Sequence, residues 1–279
     1  LCAKYAPTTL YYADLRARAD AERWMEWQAT LNGAMVPAFY NLVRAEPSKR
    51  DMSAVMVLNN FWPWSGGMAQ YMLWNGAGEI PYPPPHPNGS WDAYQRYAAR
   101  FYTNADAMAQ SDAAVRKVVT RKNSITGRNY VDDPTIMAWE LCNEPRGIDH
   151  VAEMQTWIDR SASMIKAMDP RHLVTTGAEG YTSGPEYSGT DFIKMHSGKD
   201  IDYTTAHIWI QNWGWYDPAK HDETYASAKE KMLAYLDRHA EESKKLGKPF
   251  VLEEFGIMKD GGPGASGNGG GGGWGRRSG

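Results

Sequence analysis

The chain has 279 residues, room for one large domain or two small ones. Thirty Lys and Arg against 33 Asp and Glu give a formal net charge of −3, which argues against nucleic acid or a membrane surface as partner. No apolar run approaches the ~20 residues of a bilayer-spanning helix. Two cysteines, Cys2 and Cys142, are too few for a disulfide framework or a Cys-rich metal site, and 42% hydrophobic residues are ample for a core. The aromatic inventory stands out, with 12 Trp and 16 Tyr against 6 Phe. Trp and Tyr join a flat apolar face to a polar edge. A sugar ring offers a flat C–H face rimmed by hydroxyls, so a cleft lined by them suits a carbohydrate; a Trp-rich core fits the same composition.

In chain order, the opening LCAKYAPTTLYY lacks the basic, apolar and small-residue succession of a signal peptide, and none is expected in this chain. Residues 13–31 predict a helix, capped by Asp14, with Leu15, Ala19, Trp24, Trp27 and Leu31 near one face; a second is expected from Val36 to Ala45. From Asp51 the character changes. Met52–Asn59 reads as a buried strand and runs into a loop carrying Trp62 and Trp64. Residues 75–90 are rich in Pro and Gly. Ser90 can cap a helix from Trp91 to about Tyr102, and another fits Ala105–Thr120. A strand over Thr135–Cys142 delivers Asn143, Glu144, Pro145 and Arg146 at its C-terminal end. A helix with Met154, Trp157, Ile158, Met164, Ile165 and Met168 at helical spacing follows. Next come a strand at 172–177 leading to Glu179, a strand at 202–209 ending in His207 and Trp209, a helix over about Glu223–Leu246, and a strand at 249–256 bearing Glu253 and Glu254. Alternating strands and helices imply a parallel sheet. Polar residues gather at four strand ends, where chemistry sits in a barrel of this kind.

Two stretches resemble known families. LCAKYAP followed by LRARADAERWMEWQATLNGAMVPAFYNLVR resembles the start of the helical domain of bacterial glutathione transferases, over residues 1–50, and carries no catalytic motif and no glutathione site. RKNSITGRNYVDDPTIMAWELCNEPR, HIWIQNWGWYDP and KPFVLEEFGI resemble β-mannanases of glycoside hydrolase family 5, over about residues 51–258. That resemblance implies an α/β (β/α)8 TIM barrel and hydrolysis of β-1,4-mannosidic bonds in mannan or manno-oligosaccharides with retention. The chemistry needs two carboxyl groups about 5–5.5 Å apart. It implies Glu144 as acid/base, starting protonated with its pKa raised, and Glu254 as the ionised nucleophile. It implies Asn143 as partner of the sugar 2-hydroxyl, His207 as a tuner of the carboxylate pair, Trp209 as donor to the nucleophile where relatives often carry Tyr, and Glu179 as a sugar contact. Trp62, Trp64, Trp213 and Trp215 become candidate stacking platforms. No metal or cofactor is required. Family members are usually exported, so a secreted or periplasmic location is the expectation. By alternation, Glu253 is expected to face away from Glu254.

Departures from the family pattern shape three further expectations. Five strands are countable between Asp51 and Gly256, where a full barrel has eight, so a truncated barrel with two sheet edges is expected, its first strands and last strand missing or replaced, and with it marginal stability and aggregation. Nothing in residues 1–50 takes the role of the family's arginine beside the nucleophile. Residues 261–279 hold 11 Gly in 19 positions, predict a disordered tail, and contain GPGASG, a chance match to a dinucleotide fingerprint with no helix after it. The chain thus reads as a composite of residues 1–50, a catalytic region 51–260 and a tail 261–279. Alternative functions are exo-β-mannosidase, β-glucanase, an inactive carbohydrate-binding remnant, or a transferase-like helical protein.

Overall fold

The computed structural model describes residues 53–257 except residue 125. The two helices expected before residue 50 and the glycine tail lie outside the described residues. The chain divides between Ala54 and Val55 into two units, and all the described residues from Val55 onward belong to the second.

Five strands carry the architecture: β1 (Ala54–Val57), β2 (Ile136–Glu140), β3 (Leu173–Thr175), β4 (Thr204–Ile208) and β5 (Phe250–Phe255). Each is found within a stretch the sequence marks as a strand. The order β1-β2-β3 is hydrogen-bonded, and β4 pairs with β5. β2 and β3 run parallel, Trp139 opposite Val174 and Glu140 opposite Thr175. β4 and β5 are parallel too, but the register jumps after Ala206. Asp202 N–H donates to the Val174 carbonyl at 2.8 Å and His207 N–H to the Glu179 carbonyl at 3.2 Å, so β3 and β4 stand side by side. The result is a three-stranded and a two-stranded parallel sheet set side by side, with strand ends that point one way. Among the described residues β1 pairs only with β2 and β5 only with β4.

Helices cover these sheets. These are α1 (Gly67–Trp74), α2 (Trp91–Ala99), α3 (Ala105–Val119), α4 (Val151–Met168), the short α5 (Pro185–Ser188) and α6 (Phe192–His196), and α7 (His221–Leu246). Ser90 caps α2 by accepting from Ala93 N–H, as its position suggests, and Asn104 caps α3 through Ala107 N–H. α2 stops at Ala99 and the chain tightens into a 3-10 turn over Arg100–Thr103. α1 had no sequence signal: GMAQYMLW is apolar around most of its circumference and opens on Gly67, so neither periodicity nor a cap marks it. Gly67 has a left-handed φ of +52°, and a Cβ there would lie 2.1 Å from the Asn60 carbonyl oxygen.

The core divides by helix layer. Trp139, Ile158, Ile165, Phe101, Met68 and Met72 join the first three strands to α1, α3 and α4. Trp139 also donates to Asp169 at 2.8 Å, and Asp169 in turn meets the His172 ring at 2.5 Å, tying the end of α4 to the start of β3. Ala206, Ile208, Ala228 and Tyr235 form a second cluster between β4 and α7. No helix among the described residues is long and apolar enough to cross a membrane.

Candidate active site

The ladder between β2 and β3 continues past their last strand residues, and this delivers the first carboxylate. Leu141 N–H reaches the Thr175 carbonyl at 2.9 Å, and Glu144 N–H reaches the Gly177 carbonyl at 2.9 Å. Glu144 adopts a left-handed φ of +53°, unusual outside glycine and found where surrounding structure over-determines the backbone. Gly177 makes the close approach possible. Its φ is +71°, and a Cβ would sit 2.1 Å from the Cys142 carbonyl oxygen and 2.3 Å from Glu140 Oε1.

Three strand ends converge. Glu144 from the β2 loop, His207 from β4 and Glu254 from β5 bring ligand atoms within 4.8 Å of one another. His207 Nδ1 is 2.8 Å from Glu144 Oε1 and 3.5 Å from Glu254 Oε2. Trp62 Nε1–H donates to Glu144 Oε2 at 2.5 Å, and Trp209 Nε1–H donates to Glu254 Oε2 at 3.1 Å. Two carboxyl groups in contact range, each held by an indole and bridged by one imidazole, can place an acid and a nucleophile on either side of one bond. The same oxygen and nitrogen donors can geometrically take a divalent cation, as acidic clusters often can.

The electrostatics run against the resting state expected from sequence. Burial pushes Glu144 up, but the His207 hydrogen bond and charge, the Arg146 charge and the Trp62 N–H outweigh it, and its pKa lies below the ordinary value. Glu254 lies above the ordinary value: burial, with the charges of Glu144 and Glu253, exceeds the help from His207 and Trp209. Burial opposes the charge on His207, yet the adjoining Glu144 and Glu253 carboxylates hold its pKa up at about 11. Glu254 has no Arg or Lys partner among the described residues, which places its negative charge at a disadvantage.

The remaining residues expected at the site are placed as follows. Asn143 is half-buried, its side chain 3.4 Å from Asn60 Oδ1. Trp62 is fully buried rather than an open platform. It stacks on Tyr94 at 6.4 Å and on Trp64 at 6.0 Å. Trp64 is exposed and able to meet a ring from solvent. Trp213 and Trp215 lie on the loop after β4, 5.0 Å apart edge to face, packed on Tyr235. Glu179 is buried, with both carboxylate oxygens taken by Arg146, at 2.6 Å from Nε and 2.7 Å from the second terminal nitrogen. Arg146 is the residue that sequence reasoning left without a role. Its guanidinium also donates to Gln95 at 2.8 Å and lies 4.9 Å over the Trp62 ring. Its position directly after Asn-Glu-Pro was the available signal. Glu253, expected to face away, instead lies 3.6 Å from His207 Nε2, because the strand bulges there.

Comparison with known proteins gives the family. Residues 31–268 match the family described as GH family 5 beta-mannosidase-like. The chain belongs to glycoside hydrolase family 5. The match begins inside the stretch that resembles a transferase and ends inside the glycine tail, and it brings the (β/α)8 barrel as the fold to which the five strands contribute. Mannan endo-1,4-beta-mannosidase 8 of Oryza sativa subsp. japonica is 33% identical over 242 residues, 79% of this chain and 59% of that protein. Mannan endo-1,4-beta-mannosidase 5 of Solanum lycopersicum is 35% identical over 234 residues, 77% of this chain and 51% of that protein. Among solved structures, a family 5 mannosidase from Rhizomucor miehei superposes with a TM-score of 0.65 at 36% identity, covering 75% of this chain and 49% of its own. The endo-1,4-beta-D-mannanase from Thermotoga petrophila RKU-1 gives 0.62 at 29%, covering 78% and 58%. The chain therefore spans about half the length of these relatives.

Proposed function

We propose that this family 5 chain hydrolyses β-1,4-mannosidic bonds within mannan by double displacement, with Glu144 as acid/base and Glu254 as nucleophile. The observation that carries the proposal is the approach of these two carboxyls to within 4.8 Å at the ends of separate strands. That is the close spacing retention requires, since no water needs to fit between nucleophile and sugar. Glu254 attacks the anomeric carbon while Glu144 protonates the departing oxygen; Glu144 then takes a proton from water, which releases the sugar from Glu254. Asn143, next to Glu144 in the chain, is assigned the sugar 2-hydroxyl, and Trp64 offers an exposed ring. The names of the relatives support mannan as the polymer and internal bonds as the point of attack. A polymer substrate outside the cell supports export.

A second reading has its own observation. With Glu144 below and Glu254 above the ordinary carboxylate value, a single proton on the pair favours Glu254, the wrong member for attack. A chain locked in that state binds mannan without cutting it. Reducing-end release from β-1,4-mannan by the purified chain, beside Glu254→Ala, separates the two. Release that disappears in the variant supports hydrolysis. Retention on mannan with no release in either supports the binding reading.

A further inference from the structure

Across β4 and β5, Ala206 stands opposite Leu252 and His207 opposite Glu254, which leaves Glu253 as the extra residue of a bulge. The bulge breaks the alternation of the strand and turns two successive carboxylates toward one imidazole. Glu254 Oε2 is 3.5 Å from Nδ1 of His207, and Glu253 Oε2 is 3.6 Å from Nε2. That Glu253 oxygen is buried and accepts no well-aligned hydrogen bond among the described residues, and the buried Tyr203 hydroxyl lies close enough to act on the same carboxylate beside the His207 ring. A buried carboxylate oxygen without a donor is costly. The His207 ring, 2% exposed, turns its second nitrogen toward it.

We propose that Glu253 is a positioning residue that keeps a proton on Nε2 of His207, so that His207 Nδ1 and Glu144 share one further proton between them. With the shared proton on Glu144, Oε1–H donates to Nδ1 of a neutral ring. With it on Nδ1, the ring is an imidazolium between two carboxylates. The proton count of the pair is equal in both states. Delivery of that proton to a departing oxygen leaves Glu144 ionised and His207 neutral, still carrying Nε2–H. The other groups acting on His207 are Glu140 from β2, whose carboxyl burial and Glu253 hold well above the ordinary range, Glu254, and the buried Glu179 after β3. Arg146 acts on Glu144 from the far side. The negative charge of Glu253 opposes loss of the shared proton and favours the Nε2–H form.

The inference deepens the proposed function and rests on it for its catalytic meaning, but its test needs no turnover. The chain is labelled with ¹⁵N-histidine and the His207 ring resonances, among those of seven histidines, are assigned by loss in His207→Gln. The expected result is a protonated Nε2 across the neutral range in the wild-type chain. In Glu253→Gln, deprotonation of the ring occurs about 1–3 pH units lower, the effect of removing one close charge, while Glu253→Asp stays near wild type. A neutral ring protonated on Nδ1 in the wild-type chain overturns the proposal even if neither variant folds. An unchanged titration in a folded Glu253→Gln also overturns it. Failure of the wild-type chain to release reducing ends counts against the proposed function and leaves the ring measurement standing.

Discussion

The buried pair of Arg146 and Glu179 gives the sharpest stability prediction. Their side chains are 10% and 3% exposed, and the two contacts of 2.6 and 2.7 Å match guanidinium fork to carboxylate fork. Such a pair adds little over an apolar isostere, because both charges are stripped of water, but breaking it strands one of them. Glu179→Gln keeps the shape and one acceptor and removes the charge. The expected cost is about 3–5 kcal/mol, the range for an orphaned buried partner. For a domain of this size that lowers Tm by roughly 6–20 °C, at about 2–4 °C per kcal/mol. Urea unfolding reads the same loss as a lower midpoint at constant slope. Added salt leaves the difference between the two proteins in place, because burial shields the pair from screening. The double change Arg146→Met with Glu179→Leu recovers most of the loss. A cost below about 1 kcal/mol for Glu179→Gln, or no recovery in the double variant, refutes the claim that the pair holds the site as a unit.

Trp62→Phe removes the N–H donor to Glu144. A hydrogen bond to a charged group is worth about 1.5–3 kcal/mol, so the Glu144 pKa rises by about 1–2 units; as the lower of the pair it sets the acidic limb of kcat/KM, which moves up by that amount, and a limb that stays put contradicts the contact. Gly177→Ala places a Cβ 2.1 Å from the Cys142 carbonyl at a φ of +71°, and is expected to abolish soluble folded protein, as judged by gel filtration and circular dichroism. Stability also responds to pH in two windows. The folded His207 pKa, about 11, lies above the unfolded value, so its contribution is fully present below pH ~6.5 and lost as pH rises toward 11. Burial depresses His196 to about 3 and His239 to about 4, so their contribution is present above pH ~6.5 and lost as pH falls toward those values. Denaturant midpoints measured across pH 3–11 check both signs, and a profile flat on either side contradicts the corresponding burial.

Strand and helix alternation was legible from residue 52 onward because each strand is a short apolar run closed by a helix of clear period. The convergence of Glu144, His207 and Glu254 was legible because each follows such a run. Three features were not. α1 is apolar nearly all round, so its pattern matches no face. Arg146 and Gln95 meet only in three dimensions, 51 positions apart. The orientation of Glu253 depends on one inserted residue in β5, and period-two reasoning cannot see a bulge that is set by the pairing of the neighbouring strand. Proton placement on the two catalytic candidates also differs from the sequence expectation. It follows from His207 and Arg146 both standing on the Glu144 side, a matter of a few ångströms that no motif encodes.

The most direct test of the central claim is covalent trapping. The chain is incubated with a 2-deoxy-2-fluoro-β-mannosyl fluoride, which forms the glycosyl-enzyme and slows its release, and the labelled peptide is mapped by mass spectrometry. The account predicts one sugar attached to Glu254. Attachment to Glu253 or Glu144, or no adduct from a folded chain that binds mannan, contradicts it.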